Sequence, residues 1–167
     1  MKRLLYIFAG LGLLTGCNTS GCLENRNALP LAKFYSSRTG TAISLSGLRV
    51  MGLPGDSTLL SPGTSASEVY MPFRPLDTRA EWAIGYEQEN LVDQFIEDRL
   101  VFRYEAIPYF AGSECGAMLF YRITSLEYTT NIIDSVVIVA ADSIVTNADL
   151  PTVNIYFRTA TEGESDE

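Results

Sequence analysis

From Leu31 onward the chain is a succession of short runs rich in Val, Ile, Tyr, Phe and Thr, separated by clusters of Gly, Pro, Ser and Asp, and helical spacing of apolar residues is nearly absent. β-Branched and aromatic side chains suit a pleated, half-buried surface. The runs therefore predict strands over 31–37, 41–52, 68–73, 80–86, 99–104, 118–128, 135–141 and 153–158. Turn chemistry lies between them, as in Ser37-Arg38-Thr39-Gly40, Gly52-Leu53-Pro54-Gly55-Asp56 and Ser61-Pro62-Gly63-Thr64. About eight short strands with no βαβ pattern favour an all-β fold, an antiparallel β-sandwich of immunoglobulin-like architecture, with a closed β-barrel as the alternative.

Alternation assigns the faces. Trp82, Ile84 and Tyr86 point one way with Ala83 and Gly85 opposite, and Val153, Ile155 and Phe157 oppose Asn154, Tyr156 and Arg158. The run Ser135-Val136-Val137-Ile138-Val139-Ala140-Ala141 is apolar on both faces, the pattern of a central strand covered above and below. Residues 88–98 are the least strand-like stretch and are expected to form a loop or short helix.

The amino terminus carries a different message. Lys2 and Arg3 precede eleven apolar or small residues, Leu4 to Leu14, the charged start and apolar middle of a secretory signal. As a helix this run reaches only ~16 Å, about half of a hydrocarbon core, which disfavours a transmembrane anchor. It ends in Leu14-Thr15-Gly16-Cys17, which resembles the lipobox of bacterial lipoproteins at all four positions. That resemblance implies a diacylglyceryl group on Cys17, cleavage before it and acylation of the new amine. Each buried methylene contributes about 0.8 kcal/mol, so two or three chains hold a protein on a membrane durably. The expected organisation is a signal peptide over 1–16, a lipidated cysteine and tether over 17–21, one β domain over 22–158 and a frayed acidic tail over 159–167, a length that suits a single core.

The chain has 12 basic and 20 acidic residues, and loss of Lys2 and Arg3 leaves 10 against 20, a net charge of −10. Such a field repels phosphate backbones and anionic headgroups, which disfavours nucleic acid as a partner and leaves membrane attachment to the lipid. With Cys17 acylated, Cys22 and Cys115 remain, in a compartment that permits disulfides. Bridged, they would stabilise the fold by about 4 to 5 kcal/mol in the chain-entropy model. Two free thiols are the other outcome, because sequence does not reveal Cβ separation.

Cys22-Leu23-Glu24-Asn25-Arg26, Phe34-Tyr35, Glu114-Cys115-Gly116, Thr129-Thr130-Asn131-Ile132-Ile133-Asp134-Ser135-Val136 and Asn154-Ile155-Tyr156-Phe157 occur in this order in one group of proteins. In these the chain resembles an uncharacterised family of Bacteroidetes-type lipoproteins, a domain of unknown function, from Cys22 to about Phe157. The resemblance implies the lipid anchor and the Cys22–Cys115 pair, and brings no activity. An acidic cluster after the lipidated cysteine marks surface export in related envelopes, whereas Asn18-Thr19-Ser20-Gly21 follows here, which favours the periplasmic face of a membrane, expected to be the outer one. Asp56-Ser57-Thr58, Asp134-Ser135-Val136 and Asp142-Ser143-Ile144 resemble acceptors of periplasmic O-glycosylation, making Ser57, Ser135 and Ser143 candidate sites; Asp-Ser also suits turns and strand starts.

The sequence contains no histidine, which removes the commonest general base and the commonest metal ligand. No catalytic residue, metal or cofactor is assigned. Glu87, Glu89, Asp93, Glu97 and Asp98 are dense enough to raise carboxylate-pair hydrolysis, but their pattern fits a solvated face and lacks the spacing of a calcium loop. Tyr104, Tyr109, Phe110, Tyr121 and Tyr128 could form a platform for a glycan or lipid, against ordinary strand packing. The leading expectation is a non-enzymatic interaction or structural module anchored in the cell envelope, with an unknown envelope protein as partner. The alternative is a binder of a small glycan or lipid ligand, and a glycoside-type hydrolase comes third. Replacement Cys17→Ser should remove the acyl mass and the hydrophobic character it gives, read by fractionation and intact mass; a product that still pellets with membranes, untrimmed and unchanged in hydrophobic character relative to the parent, would sink the lipid-anchor reading.

Overall fold

The computed structural model describes residues 28–159, apart from residues 56, 62, 88–94 and 114–115. Its strands are β1 (Leu31–Ser36), β2 (Leu45–Ser46), β3 (Leu48–Leu53), β4 (Ser57–Leu60), β5 (Ser65–Ala66), β6 (Glu68–Tyr70), β7 (Arg79–Glu87), β8 (Phe95–Gly112), β9 (Gly116–Tyr128), β10 (Ile133–Ile138), β11 (Ile144–Val145) and β12 (Pro151–Phe157), with one 3-10 turn at Ala141–Ser143. They form a four-stranded sheet in the order β10-β12-β1-β6, a six-stranded sheet in the order β11-β9-β8-β7-β3-β4, and a small β2-β5 ribbon. Pairing is antiparallel except between β1 and β12, which run parallel. The architecture is a β-sandwich, and neither sheet closes into the alternative barrel.

Period-two alternation supplies the core. The four-stranded sheet turns Ala32, Phe34, Ile133, Val136, Val153, Ile155 and Phe157 inward, and the six-stranded sheet answers with Leu48, Val50, Trp82, Ile84, Leu100, Phe102, Tyr104, Tyr121 and Ile123. Phe34 meets Phe157 edge to face at 5.3 Å, and Phe73 stacks on Tyr104 at 4.1 Å, closing one end of the core. Full burial of one such side chain is worth about 1.5 to 3 kcal/mol, so this interdigitation is the main stabilising contribution. The faces expected for residues 82–86 and 153–158 are those observed, but Ala83 and Gly85 on the opposite side are buried too. Gly85 has no room for a side chain, since a Cβ there would lie 2.6 Å from the carbonyl oxygen of Ile96.

Several expectations are corrected. The 41–52 run is not one strand: Gly47, at φ 77°, separates β2 from β3. Strands β4, β5 and β11 were not expected, being too short or too polar to show alternation. Run 135–141 is not a central strand. It contributes to β10, which pairs only with β12 at the sheet edge, and its last residue already belongs to the 3-10 turn. The loop or helix expected over 88–98 gives way at Phe95, where β8 begins.

Asp98 in β8 is the largest correction. In place of a solvated acidic cluster it has a fully buried residue. Continuing the alternation of Leu100, Phe102 and Tyr104 backward puts position 98 on the inward face. Its Oδ1 accepts from the Thr129 hydroxyl at 2.6 Å and the Asn131 N–H at 2.7 Å, and its Oδ2 from the N–H groups of Ile132 and Ile133, both at 2.7 Å. Three successive backbone N–H groups thus form a nest around the carboxylate, at the point where the chain leaves β9 and enters β10 in the other sheet. Burial pushes the carboxyl upward, but the four hydrogen bonds outweigh it and hold the group below its ordinary 3.8.

A depressed folded value means stability that is complete above 3.8 and is lost as the pH falls through the folded value. Asp98→Asn puts an amide donor among donors and should cost about 3 kcal/mol at neutral pH. Urea unfolding from pH 7 to pH 2 should show a smaller acid-dependent loss in the variant; identical slopes for both chains would refute the assignment.

Candidate functional site

The two sheets present different chemistry to solvent. The outer face of the six-stranded sheet carries a lattice of ion pairs, with Glu81 between Arg79 and Arg99, Arg99 also near Glu97 at 3.8 Å, and Arg103 near Glu127 at 3.8 Å. The exposed pairs among them, Arg99 with Glu97 and Arg103 with Glu127, contribute little stability but keep the face solvated, while the Glu81 side chain between its two arginines is only 11% exposed. The outer face of the four-stranded sheet, read from its register, presents Val137 and Val139, Asn154 and Tyr156, and Tyr35, with ion pairs at its two margins, Lys33 with Glu68 at 3.6 Å and Arg158 with Asp134 at 3.7 Å. Tyr35 and Tyr156 lie 5.4 Å apart, and Val137 and Val139 remain 46% and 42% exposed.

A cleft opens on this side where the chain crosses from β10 to β11 and returns to β12. Its volume is about 710 Å³, and Tyr35, Val139, Ile144, Leu150, Pro151 and Asn154 are among the residues that line it. Leu150 on its wall is 67% exposed. Ala141 and Ile144 of the lining flank Asp142 and Ser143 of the 3-10 turn, which lie outside the lining and both have left-handed backbones, at φ 52° and 57°. Two successive left-handed residues with side chains cost on the order of 1 to 3 kcal/mol each, a strain found preferentially at functional clamps. Beside the cleft the Asn154 Oδ1 is buried without a hydrogen-bond partner among the described residues. Among the described residues no carboxylate lines this cleft.

A smaller pocket of about 230 Å³ lies at one end of the sandwich, lined by Phe73, Tyr104 and Trp82 below and by Arg74, Asp77, Arg79 and Glu81 around. The Trp82 indole N–H has no partner among the described residues. Asp77 and Glu81 are the only carboxylates in the lining, and each is ion-paired to an arginine, which is how surface charges neutralise one another rather than how an acid and a base flank a scissile bond.

The aromatic platform does not form. Tyr104 and Tyr121 are core residues in contact at 5.5 Å, and burial pushes both phenols above 10. Tyr109 stacks on Phe120 at 4.6 Å, while Phe110 is 69% exposed near the tip of the β8–β9 hairpin and Tyr128 lies at the far end of β9. The rings that do share an open face, Tyr35 and Tyr156, were not among those singled out. Their position on the non-core side of two strands was the available signal.

Of the acidic cluster, Glu97 faces outward near Arg99 and Asp98 is interior, while Glu89, Asp93 and the side chain of Glu87 lie outside the described residues. Cys17, Cys22 and Cys115 also lie outside them, as do the signal segment and most of the tail. Ser57 is exposed in β4, Ser135 is half-buried in β10 and Ser143 is half-buried in the 3-10 turn, so the three candidate glycosylation sites are not gathered in one place. Among the described residues no three Cys, Asp or Glu side chains converge to hold a metal, and no helix is long and apolar enough to cross a membrane.

Fold and surface together define a β-sandwich in which one outer face is laced with ion pairs and the other carries an exposed apolar strip between ion-paired margins, beside a cleft. The chain belongs to DUF6452, a family of unknown function, whose match spans residues 47–157. It takes in every strand from β3 to β12 and leaves out β1 and β2. No curated protein and no solved structure matches the chain.

Core and surface aromatics should respond differently to substitution. The Tyr104 hydroxyl donates to the Arg74 carbonyl at 3.1 Å and accepts from the Arg74 N–H at 3.0 Å, so Tyr104→Phe should cost about 1 to 2 kcal/mol. Phe110→Ser should stay within about 0.5 kcal/mol of the parent. Thermal and urea unfolding of the two variants measures this, and equal losses would contradict the division.

Proposed function

We propose that this protein is a non-enzymatic interaction module of the cell envelope, tethered through lipid on Cys17 and facing the periplasm, which meets its partner through the outer face of the four-stranded sheet. The observation carrying this reading is the contrast between the faces. Ion pairs run across the six-stranded sheet, whereas on the other side they are confined to the margins, Lys33–Glu68 and Arg158–Asp134, and Val137, Val139 and Leu150 leave an apolar strip. Contiguous exposed apolar surface on a folded domain marks a place where something binds. The lipid is supported by the sequence at Leu14 to Cys17, and an anchored domain without histidine or a metal cluster among its described residues suits contact better than turnover.

A second reading, binding of a small lipid-like ligand, draws on the cleft itself. A volume of about 710 Å³ falls in the range of small-molecule sites, which are mostly apolar with few polar groups. The interior between the sheets is filled by side chains, so any ligand would occupy this marginal cleft and not a central cavity.

A photoreactive amino acid placed at Leu150, and separately at Arg103 on the charged face, tests the reading in cells. Discrete adducts are expected from position 150 and not from position 103. Equal labelling, or none at 150, would overturn it. If a neutral naphthylamine probe binds the purified chain and Ala148→Phe weakens that binding about tenfold, the occupant of the cleft is a small ligand instead.

A further inference from the structure

We infer that β10 is a pairing edge for a second copy of this chain, joining two four-stranded sheets into one continuous sheet of eight strands. The inference concerns the backbone edge of β10 and goes beyond the contact surface proposed above, which does not require it. Among the described residues the other sheet edges are blunt. β6 has three residues, with Glu68 tied to Lys33; β11 has two; β4 has four and pairs with β3 through a register break. β10 alone is a six-residue edge; its one charge, Asp134, sits at its start paired to Arg158, and from Ser135 to Ala141 the chain carries no charge and no proline. Edge strands are ordinarily guarded by lysine, proline or a bulge in their midst. Here the one irregularity lies at the start, between Ile133 and Ser135.

The hydrogen-bond phase of the edge sets the register of this pairing. Val139 donates to the Thr152 carbonyl at 2.8 Å, and Val137 lies opposite Asn154. By antiparallel alternation Val137 bonds inward to β12, which turns the N–H and C=O of Val136 and Ile138 toward the open edge. These groups are symmetric about Val137. A two-fold axis beside Val137 therefore sets Val136 against Ile138 of the second copy, and Ile138 against its Val136, each pair exchanging two hydrogen bonds. Val137 then faces Val137 of the second copy in a non-bonded pair, with Cα atoms about 4.5 Å apart. Asp134 falls opposite Ala140 of the second copy, so the flanking carboxylates do not oppose one another although the chain carries a net −8. A lipid chain would cover Val137 and Val139 but leave those four backbone groups unbonded, whereas a second β10 satisfies them and covers Val137 together.

Three forms of the full chain extracted in detergent decide the matter: the parent, Val137→Lys and Val137→Cys, with Arg103→Cys as the control on the opposite sheet. The parent should sediment as a concentration-dependent dimer. In Val137→Lys two like charges meet across the axis, and dimer affinity should fall at least about tenfold with unchanged circular dichroism. Oxidised Val137→Cys should give a reducible covalent dimer well above the parent and the control, because a non-bonded antiparallel pair lies within disulfide reach. A parent that stays monomeric at every concentration overturns the inference, as does a dimer that neither crosslinks through position 137 nor weakens in Val137→Lys. Should Val137→Lys fail to fold, the crosslink alone decides. A monomer that still gives adducts from position 150 would overturn the pairing and leave the contact face standing.

Discussion

The Asp98 carboxylate is where the two layers of this sandwich are joined by something other than apolar packing. It sits on the inward face of β8, in the six-stranded sheet, and receives hydrogen bonds from the crossover that carries the chain into β10 of the four-stranded sheet. A buried charge is costly when left alone, yet here every strong donor nearby is a backbone N–H or a hydroxyl already committed to it. No cation takes part in those hydrogen bonds. The turn's own N–H groups act as the counter-charge, so the carboxylate fixes the path of residues 129–133 and with it the place of β10 at the sheet margin.

That placement has consequences for the surface. In a two-layer sandwich every strand turns one face outward, as central β12 does with Asn154 and Tyr156, so the alternation of run 135–141 leaves apolar side chains outside. At the edge, Val136 and Ile138 still serve the core while Val137 and Val139 are left beside solvent. The same crossover proceeds through the strained turn at Asp142 and Ser143 to β11 and back, and the detour opens the cleft. The apolar face, the cleft and the open edge are thus products of one topological event, the hop of the chain between sheets around Asp98. The ion-paired face of the other sheet is unaffected, because β3, β7, β8 and β9 follow one another as plain antiparallel neighbours there.

Membership of DUF6452 covers this whole arrangement from β3 to β12 and attaches no activity to it. Of the two strands missing from the match, β1 lies between β12 and β6 and carries Phe34 inward and Tyr35 outward. It therefore completes both the core and the cleft. The family span contains the Asp98 clamp in full, with its acceptor and all four donors. The reading as a contact module relies on surface chemistry and on the sequence of the amino terminus, and each has its own separate test.

What the sequence determined by itself was local. Alternation in residues 82–86 and 153–158 named the inward side chains correctly, because side-chain direction along a strand depends only on the pleat. The scarcity of helical spacing was enough for the all-β class, and turn chemistry separated most strands. Tertiary structure decided which strand neighbours which, since pairing partners are chosen by contacts far apart in the chain that no short window contains. An apolar stretch such as 135–141 reads alike whether it ends at the centre or the edge of a sheet, and only the path of its neighbours distinguishes the two. Asp98 was misread for the same reason. A carboxylate in an acidic stretch looks solvated until a turn 31 to 35 residues away brings four donors to it.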